Sequence, residues 1–96
     1  MLDFYADWCV SCKEMEKFTF SDPRVQAKLK QMNLLRADVT ANNADDQVLL
    51  KRFNLFGPPG IIFFDRGGKE VLRVVGYESV DKFLRSLDRA MTAPQT

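Results

Sequence analysis

The sequence contains no histidine, and this absence excludes several kinds of active site. Nucleophile pairs of the Cys-His and Ser-His type, HExxH metal sites and Cys2His2 zinc sites all need an imidazole. There are only two cysteines, too few for the disulfide framework of a small secreted scaffold. What remains is cysteine chemistry without a histidine as its base.

The chain also lacks a charge excess and a long apolar run. Its 14 basic and 13 acidic residues are interspersed and give a net charge of +1, so no electrostatic footprint for nucleic acid or an anionic membrane is visible. The longest strongly apolar stretch, residues 55–64, is interrupted by glycine and proline and is much shorter than the roughly 20 residues of a spanning helix. We therefore expect a protein or small-molecule partner and no membrane-spanning segment.

Length and composition predict one domain. The 96 residues are 46% hydrophobic and 28% charged, as in an ordinary globular protein. We place the domain at residues 1–91 and a flexible tail at residues 92–96. The chain opens on the apolar pattern of a buried strand and not on a signal peptide, so we expect it to be part of a longer polypeptide.

Apolar patterning predicts an α/β fold. Strands are expected at residues 2–5, 34–39, 61–64 and 70–75. Helices are expected at residues 9–18, 45–53 and 80–91, and a further helix is expected to begin after an N-cap at Ser21. This alternation predicts a parallel sheet with helices on both faces, and the glycine turn at 65–68 adds an antiparallel edge strand, which makes the sheet mixed. The phenylalanines expected in the core are Phe53, Phe56, Phe63, Phe64 and Phe83.

The motif that carries chemistry is WCVSC at residues 8–12, between the end of a strand and the start of a helix. Cysteines three residues apart on a first helical turn share one face and can form a disulfide. The positive helix end favours a thiolate on Cys9, while Cys12 lies one turn further in and is shielded. The motif predicts thiol:disulfide exchange, in which Cys9 attacks a partner disulfide and Cys12 resolves the mixed disulfide.

Other uses of the cysteine pair remain open. The pair could form half of a zinc site shared between chains, but the remaining ligands would have to come from a dimer or from solvent. It could be a structural disulfide, although a bridge enclosing two residues restrains little of the chain. A redox-inert binding module is a third alternative. We expect no metal and no cofactor apart from the redox-active Cys9–Cys12 disulfide itself.

Four segments together resemble one known family. They read DFYADWCVSCKEME at residues 3–16, FSDP at 20–23, ADVTAN at 37–42 and GPPGIIFFD at 57–65. They are similar to the C-terminal periplasmic domains of the bacterial thiol:disulfide interchange proteins DsbD, and the similarity extends from Met1 to about Leu87. The resemblance implies a thioredoxin-like fold without its first strand and helix, in a soluble periplasmic domain of an inner-membrane protein.

The resemblance also implies partners. Such a domain accepts electrons from the cysteine pair of a transmembrane domain and passes them to an N-terminal periplasmic domain, in a pathway connected with cytochrome c maturation. The alternative among enzymes is a free-standing thioredoxin-like reductase. Dithiol exchange is reversible, so the sequence alone does not give the direction of electron flow.

Two prolines and a tryptophan are expected to support the motif. Pro59 matches the cis-proline that thioredoxin-like proteins place beside the CxxC motif. In thioredoxins the preceding residue lends its N–H and C=O groups to the bound partner, and Pro58 has no N–H to lend. A partner segment that docks there should therefore find the C=O of Pro58 as a hydrogen-bond acceptor but no N–H donor. Trp8 is expected to offer aromatic surface to a partner, with core packing as the alternative.

Two acids are expected to tune the thiols. Asp3 matches the buried acid of the family, with solvation near the terminus as the alternative. Glu16 lies four residues after Cys12 on the same helix face, with a plain surface charge as the alternative. A carboxylate in a poorly solvated site raises the pKa of a nearby thiol. We therefore expect Asp3→Asn and Glu16→Gln each to lower the pKa of Cys9, with the larger effect from Asp3.

Overall fold

The computed structural model describes residues 1–92, which form an alternation of strands and helices. The elements are β1 (Leu2–Tyr5), α1 (Val10–Glu14), a π-helical segment (Met15–Thr19), α2 (Pro23–Leu29), β2 (Leu35–Asp38), α3 (Ala44–Arg52), β3 (Gly60–Phe64), β4 (Glu70–Val75) and α4 (Val80–Thr92). The predicted order of strands and helices is confirmed. Thr92, where we expected the tail to begin, still belongs to α4, and residues 93–96 lie outside the described part.

The strands form one mixed sheet in the order β2-β1-β3-β4. β1 is parallel to β2, whereas β3 is antiparallel to both β1 and β4. The prediction of a mixed sheet is confirmed, but the parallel direction expected for β3 is wrong. Asp38, the last residue of β2, pairs with Tyr5, and Gly60, the first residue of β3, pairs with Phe4. The chain therefore leaves β2 and enters β3 at the same end of the sheet. Hydrophobic patterning shows which residues are buried and not which way a strand runs.

Two apolar layers cover the two faces of the sheet. Along β3, Ile62 packs into the layer that contains Leu50 of α3, while Ile61 and Phe63 pack into the layer of α2 and α4. The prediction of helices on both faces is confirmed. No helix within residues 1–92 is long and apolar enough to cross a bilayer.

The predicted phenylalanine core is correct except at one position. Phe63 and Phe83 are buried, and Phe53 and Phe64 pack partly buried against the core. Phe56 is fully exposed, so its assignment to the core is wrong. The reason is that it lies in the loop before β3, where alternation along a strand no longer directs side chains inward.

Two helix boundaries also differ from the prediction. The helix expected over 9–18 is α-helical only to Glu14 and then π-helical, a change that residue propensities do not signal. The N-cap of α2 is Asp22 and not Ser21, because the Asp22 carboxylate accepts a hydrogen bond from Arg24 N. The Ser21 hydroxyl instead donates to the carbonyl oxygen of Lys17, at 2.6 Å.

Candidate active site

Cys9 occupies the N-cap position of α1. Its backbone is extended, with φ −87° and ψ 106°, and its N–H donates to the Ala6 carbonyl oxygen at 3.1 Å. The Cys9 sulfur accepts a hydrogen bond from Cys12 N at 3.1 Å. The predicted location of the motif between a strand end and a helix start is confirmed. The arrangement points a backbone donor at Cys9 Sγ, where it would stabilise a thiolate.

Cys9 and Cys12 are joined in a disulfide, with their Cα atoms 5.2 Å apart. Cys9 is 6% exposed and Cys12 is 4% exposed, so exposure alone does not distinguish the two sulfurs in this state. Their surroundings do distinguish them. Cys12 Sγ lies 3.9 Å from the Phe4 carbonyl oxygen, behind the helix terminus, while Cys9 caps the helix.

The proline loop lies at the same end of the sheet as the disulfide. The peptide bond between Pro58 and Pro59 is cis, as predicted for Pro59. Because Phe4 pairs with the next residue, Gly60, the loop runs beside the end of β1 that leads to the cysteines. Pro59 is also tied to the end of β4, since its carbonyl oxygen accepts from Gly76 N at 3.3 Å.

Glycine at position 60 keeps this loop close to the core around the disulfide. A Cβ atom there would lie 3.0 Å from Leu55 Cδ1. Leu55 packs in the same buried cluster as Cys9 and Cys12. A larger residue at position 60 would therefore press on Leu55 and require it to shift within the cluster that contains both cysteines.

Three apolar side chains are exposed in the segments that carry the cysteine pair and the proline loop; we call Trp8, Val10 and Phe56 the apolar rim. Trp8 is 55% exposed, and its indole nitrogen donates to the Thr40 carbonyl oxygen at 2.9 Å. This exposure favours the surface interpretation of Trp8 over core packing. Phe56, which the apolar pattern placed in the core, is fully exposed directly before the GPPG segment.

The two predicted acids are held by one arginine. Arg36 Nη2 lies 2.6 Å from Glu16 Oε1 and 3.6 Å from Asp3 Oδ2. The Asp3 side chain is only 13% exposed, so the alternative of a fully solvated Asp3 is wrong. Burial raises the pKa of Asp3 to about 6; Arg36 opposes this rise and Glu16 adds to it. The predicted effect of both acids on Cys9 stays a prediction.

Arg36 is the site residue that the sequence analysis missed. It is far from Asp3 in the sequence, but the parallel register of β1 and β2 places the two Cα atoms opposite each other. Its guanidinium carbon lies 4.3 Å from the centre of the Tyr5 ring. Lys13 Nζ donates to the Tyr5 hydroxyl at 2.6 Å. Only the pairing of the two strands could have revealed this group.

Comparison with known proteins gives relatives along almost the whole chain. A profile of the thioredoxin-like domain family matches residues 1–91. The chain is 62% identical over 96 residues to the thiol:disulfide interchange protein DsbD of Ralstonia nicotianae, covering 99% of this chain and 16% of that protein. Its identity to DsbD of Yersinia pestis (strain Pestoides F) is 56% over 89 residues, covering 91% and 15%. The chain thus spans only a small part of these relatives' length.

Solved structures are similar in fold as well. The C-terminal domain of Neisseria meningitidis DsbD is 40% identical and covers 93% of this chain and 77% of that one, with TM-scores of 0.84 for the oxidised form and 0.83 for the reduced form. A thioredoxin from Thermus thermophilus is 25% identical and has a TM-score of 0.80, covering 95% of this chain and 72% of that one.

Proposed function

We infer that this chain, which belongs to the family of thioredoxin-like C-terminal domains of DsbD, is a protein-disulfide reductase that works through Cys9 and Cys12. One observation supports this inference most directly. The two cysteines form a disulfide at the start of α1, on the same end of the sheet as the cis Pro58–Pro59 bond. A dithiol in that position has both a stabilised attacking sulfur and a second sulfur to complete the exchange.

In the proposed reaction the Cys9 thiolate attacks one sulfur of a partner disulfide. A Cys9–partner disulfide forms, the partner's own S–S bond breaks, and its other sulfur leaves as a thiolate that takes up a proton. Cys12 then loses its proton and attacks Cys9 Sγ, which releases the second partner sulfur. The partner gains two electrons and two protons, and the chain becomes the Cys9–Cys12 disulfide. The sulfur pair carries the electrons, so the reaction needs no bound cofactor or metal.

We propose further that the domain is periplasmic and relays electrons from a transmembrane domain to periplasmic proteins. This proposal rests on the DsbD relatives, of which the chain covers 16% and 15%. Because the chain covers so little of these relatives, a full-length protein of that size has room for both an electron-donating and an electron-accepting domain. If the intact gene encoded no transmembrane segments, the alternative of a free-standing thioredoxin-like reductase would be favoured.

The metal-binding alternative has a direct test. Within residues 1–92 no group of three or more His, Cys, Asp or Glu side chains is arranged to hold a metal ion. Native mass spectrometry of the reduced protein, purified without chelator, should show the mass of the chain alone. A stoichiometric zinc adduct, lost on Cys9→Ser substitution, would favour a zinc site shared between chains.

The reduction potential should be that of a reductant. Val10 and Ser11 between the cysteines offer no histidine to stabilise a thiolate, and the acids behind the site oppose one. We expect a value nearer the roughly −270 mV of thioredoxin than the roughly −120 mV of a strong oxidant. Equilibration with glutathione buffers, read as thiol mass shifts, measures it. A potential above about −180 mV would contradict a reductase role.

The apolar rim should matter for protein partners and not for small disulfides. A fully exposed phenylalanine in the loop that leads to the cis-proline has the character of an interface anchor, so Phe56→Ala should slow reduction of a protein disulfide about tenfold. Leu35→Ala is the matched control, because Leu35 is also exposed but lies at the opposite end of the β1–β2 pair. Stopped-flow rates with a disulfide-bonded protein and with oxidised glutathione separate the two effects. Equal losses in both variants, or with both substrates, would remove Phe56 from the docking surface.

A further inference from the structure

A charge cluster joins three elements of the fold. Arg36 lies on β2, Asp3 on β1 and Glu16 on the π-helical segment. The arginine bridges the two acids, at 2.6 Å from Glu16 and 3.6 Å from Asp3. Without the arginine, two carboxylates would share a site in which Asp3 is largely buried. Like charges that share such a site disfavour each other's ionisation.

Short stretches of chain connect the cluster to the cysteine pair. Asp3 precedes Phe4, whose carbonyl oxygen is 3.9 Å from Cys12 Sγ. Glu16 follows Cys12 by four residues, about one helical turn. We therefore expect a change of charge in the cluster to act on the sulfurs through protein as well as through solvent.

Contacts with Tyr5 fix the position of the arginine. The guanidinium carbon of Arg36 stacks 4.3 Å from the centre of the Tyr5 ring, and this ring is buried. A planar guanidinium can stack on an aromatic face and bridge carboxylates at the same time, which a lysine ammonium cannot do equally well. Arg36 is 46% exposed at its side chain, so a polar replacement does not open the core.

We propose that Arg36 is a positioning residue for the dithiol reaction: by bridging Asp3 and Glu16 it limits the negative charge behind the cysteines and so controls how readily Cys9 ionises. This inference rests on the proposed redox function. Asp3, Glu16 and Arg36 together carry one net negative charge when all are ionised, and two without the guanidinium. The second negative charge would make a thiolate more costly.

Other charged and titratable groups also surround Arg36. They are Tyr5 of β1, Asp38 of β2 and the Lys13–Asp7 ion pair, which is bonded to the Tyr5 hydroxyl. None of these groups is changed in the Arg36 variants, so they do not account for a difference between those variants and the wild type.

The decisive experiment is the pH dependence of iodoacetamide alkylation of the reduced chain. Arg36→Gln should raise the apparent pKa of Cys9 by about half a unit to one unit. Arg36→Lys keeps the positive charge but loses the planar guanidinium that bridges the two carboxylates and packs on the Tyr5 ring. We therefore expect a shift in the pKa of Cys9 less than half as large. Arg24→Gln is the matched control, since Arg24 forms its ion pair with Asp22 at the start of α2, and it should leave the profile unchanged. Because these groups are coupled, the fitted values are apparent pKa values of the cluster.

Two further measurements separate a specific role from a structural one. Carbon-13 NMR of the side-chain carboxyls should show the pKa of Asp3 rising in Arg36→Gln, because that carboxylate loses its counter-charge. Asp3→Asn/Glu16→Gln should shift the thiol pKa in the opposite direction, because it removes the negative charges that Arg36 balances. An unchanged alkylation profile in Arg36→Gln, an equal shift from Arg24→Gln, or a shift of the same sign from the acid variants would overturn the proposal.

The same readouts distinguish failure of this inference from failure of the proposed function. Neither alkylation nor NMR needs a disulfide partner. A chain in which Arg36→Gln shifts the thiol pKa as expected, but which reduces no protein disulfide, would overturn the reductase assignment alone. A chain that reduces protein disulfides with an Arg36→Gln profile like that of the wild type would overturn the role of Arg36 alone.

Discussion

Cys12→Ala is expected to stop the reaction at the mixed disulfide, whereas Cys9→Ala abolishes it at the first step. The reason is the asymmetry of the helix start. Cys9 caps α1 and accepts a hydrogen bond from Cys12 N at 3.1 Å, which favours its thiolate as the attacking species. Cys12 Sγ lies against the Phe4 carbonyl oxygen. From there we expect it to attack Cys9 Sγ more easily than it attacks a partner disulfide.

Non-reducing gels of each variant, incubated with a disulfide-bonded protein, would check this expectation. The Cys12→Ala variant should give a band at the summed mass that disappears with dithiothreitol, and Cys9→Ala should give none. Turnover should fall to the uncatalysed rate in both variants, because each lacks one of the two required sulfurs. The Cys9→Ala/Cys12→Ala variant controls for non-covalent association. Equal trapping by both single variants, or faster alkylation of Cys12 than of Cys9, would reverse the assignment.

Asp3→Asn is expected to make the protein more stable at neutral pH. Burial raises the pKa of Asp3 to about 6, against an ordinary value of 3.8. The folded protein therefore retains a proton that the unfolded chain releases, and stability falls as the pH rises between about 4 and 6. The penalty is fully present above pH 6 and absent below pH 4. A difference of about two pKa units corresponds to roughly 3 kcal/mol at most.

Urea unfolding of the oxidised protein at pH 4, 5, 6 and 7 measures this effect without interference from thiol titration. We expect a gain of about 1–3 kcal/mol for Asp3→Asn at pH 7 and almost none at pH 4. The gain is smaller than the full penalty, because asparagine gives up the ion pair with Arg36. A variant that is as stable as the wild type at every pH, or less stable at pH 7, would contradict the predicted cost of Asp3.

Asp38→Asn provides a control of opposite sign on the neighbouring strand. The Thr40 hydroxyl and backbone N–H donate to the Asp38 carboxylate and lower its pKa. A lowered pKa contributes stability above the unfolded value, and that stability is lost as the pH falls. Asp38→Asn should therefore weaken the fold at neutral pH, and a gain in stability from both variants would point to a general charge effect.

The sequence by itself determined the reacting residues and the order of the elements. A CxxC pair at a helix start is a local feature, because its spacing and its place in the first turn fix what the sulfurs can do. The strand and helix order followed from apolar periodicity. Pro59 was predicted through the family resemblance, and its cis bond is present.

Only the tertiary structure decided the surroundings of the cysteine pair. Arg36 joins the site because β1 and β2 pair in a register that sets it opposite Asp3. Phe56 is exposed because it lies in the loop before β3. That loop enters β3 at the end of the sheet that carries the disulfide, so β3 runs antiparallel to β1. The physical reason is that periodicity and capping depend on neighbours within a few residues. Strand register and direction depend instead on which distant segments pack together.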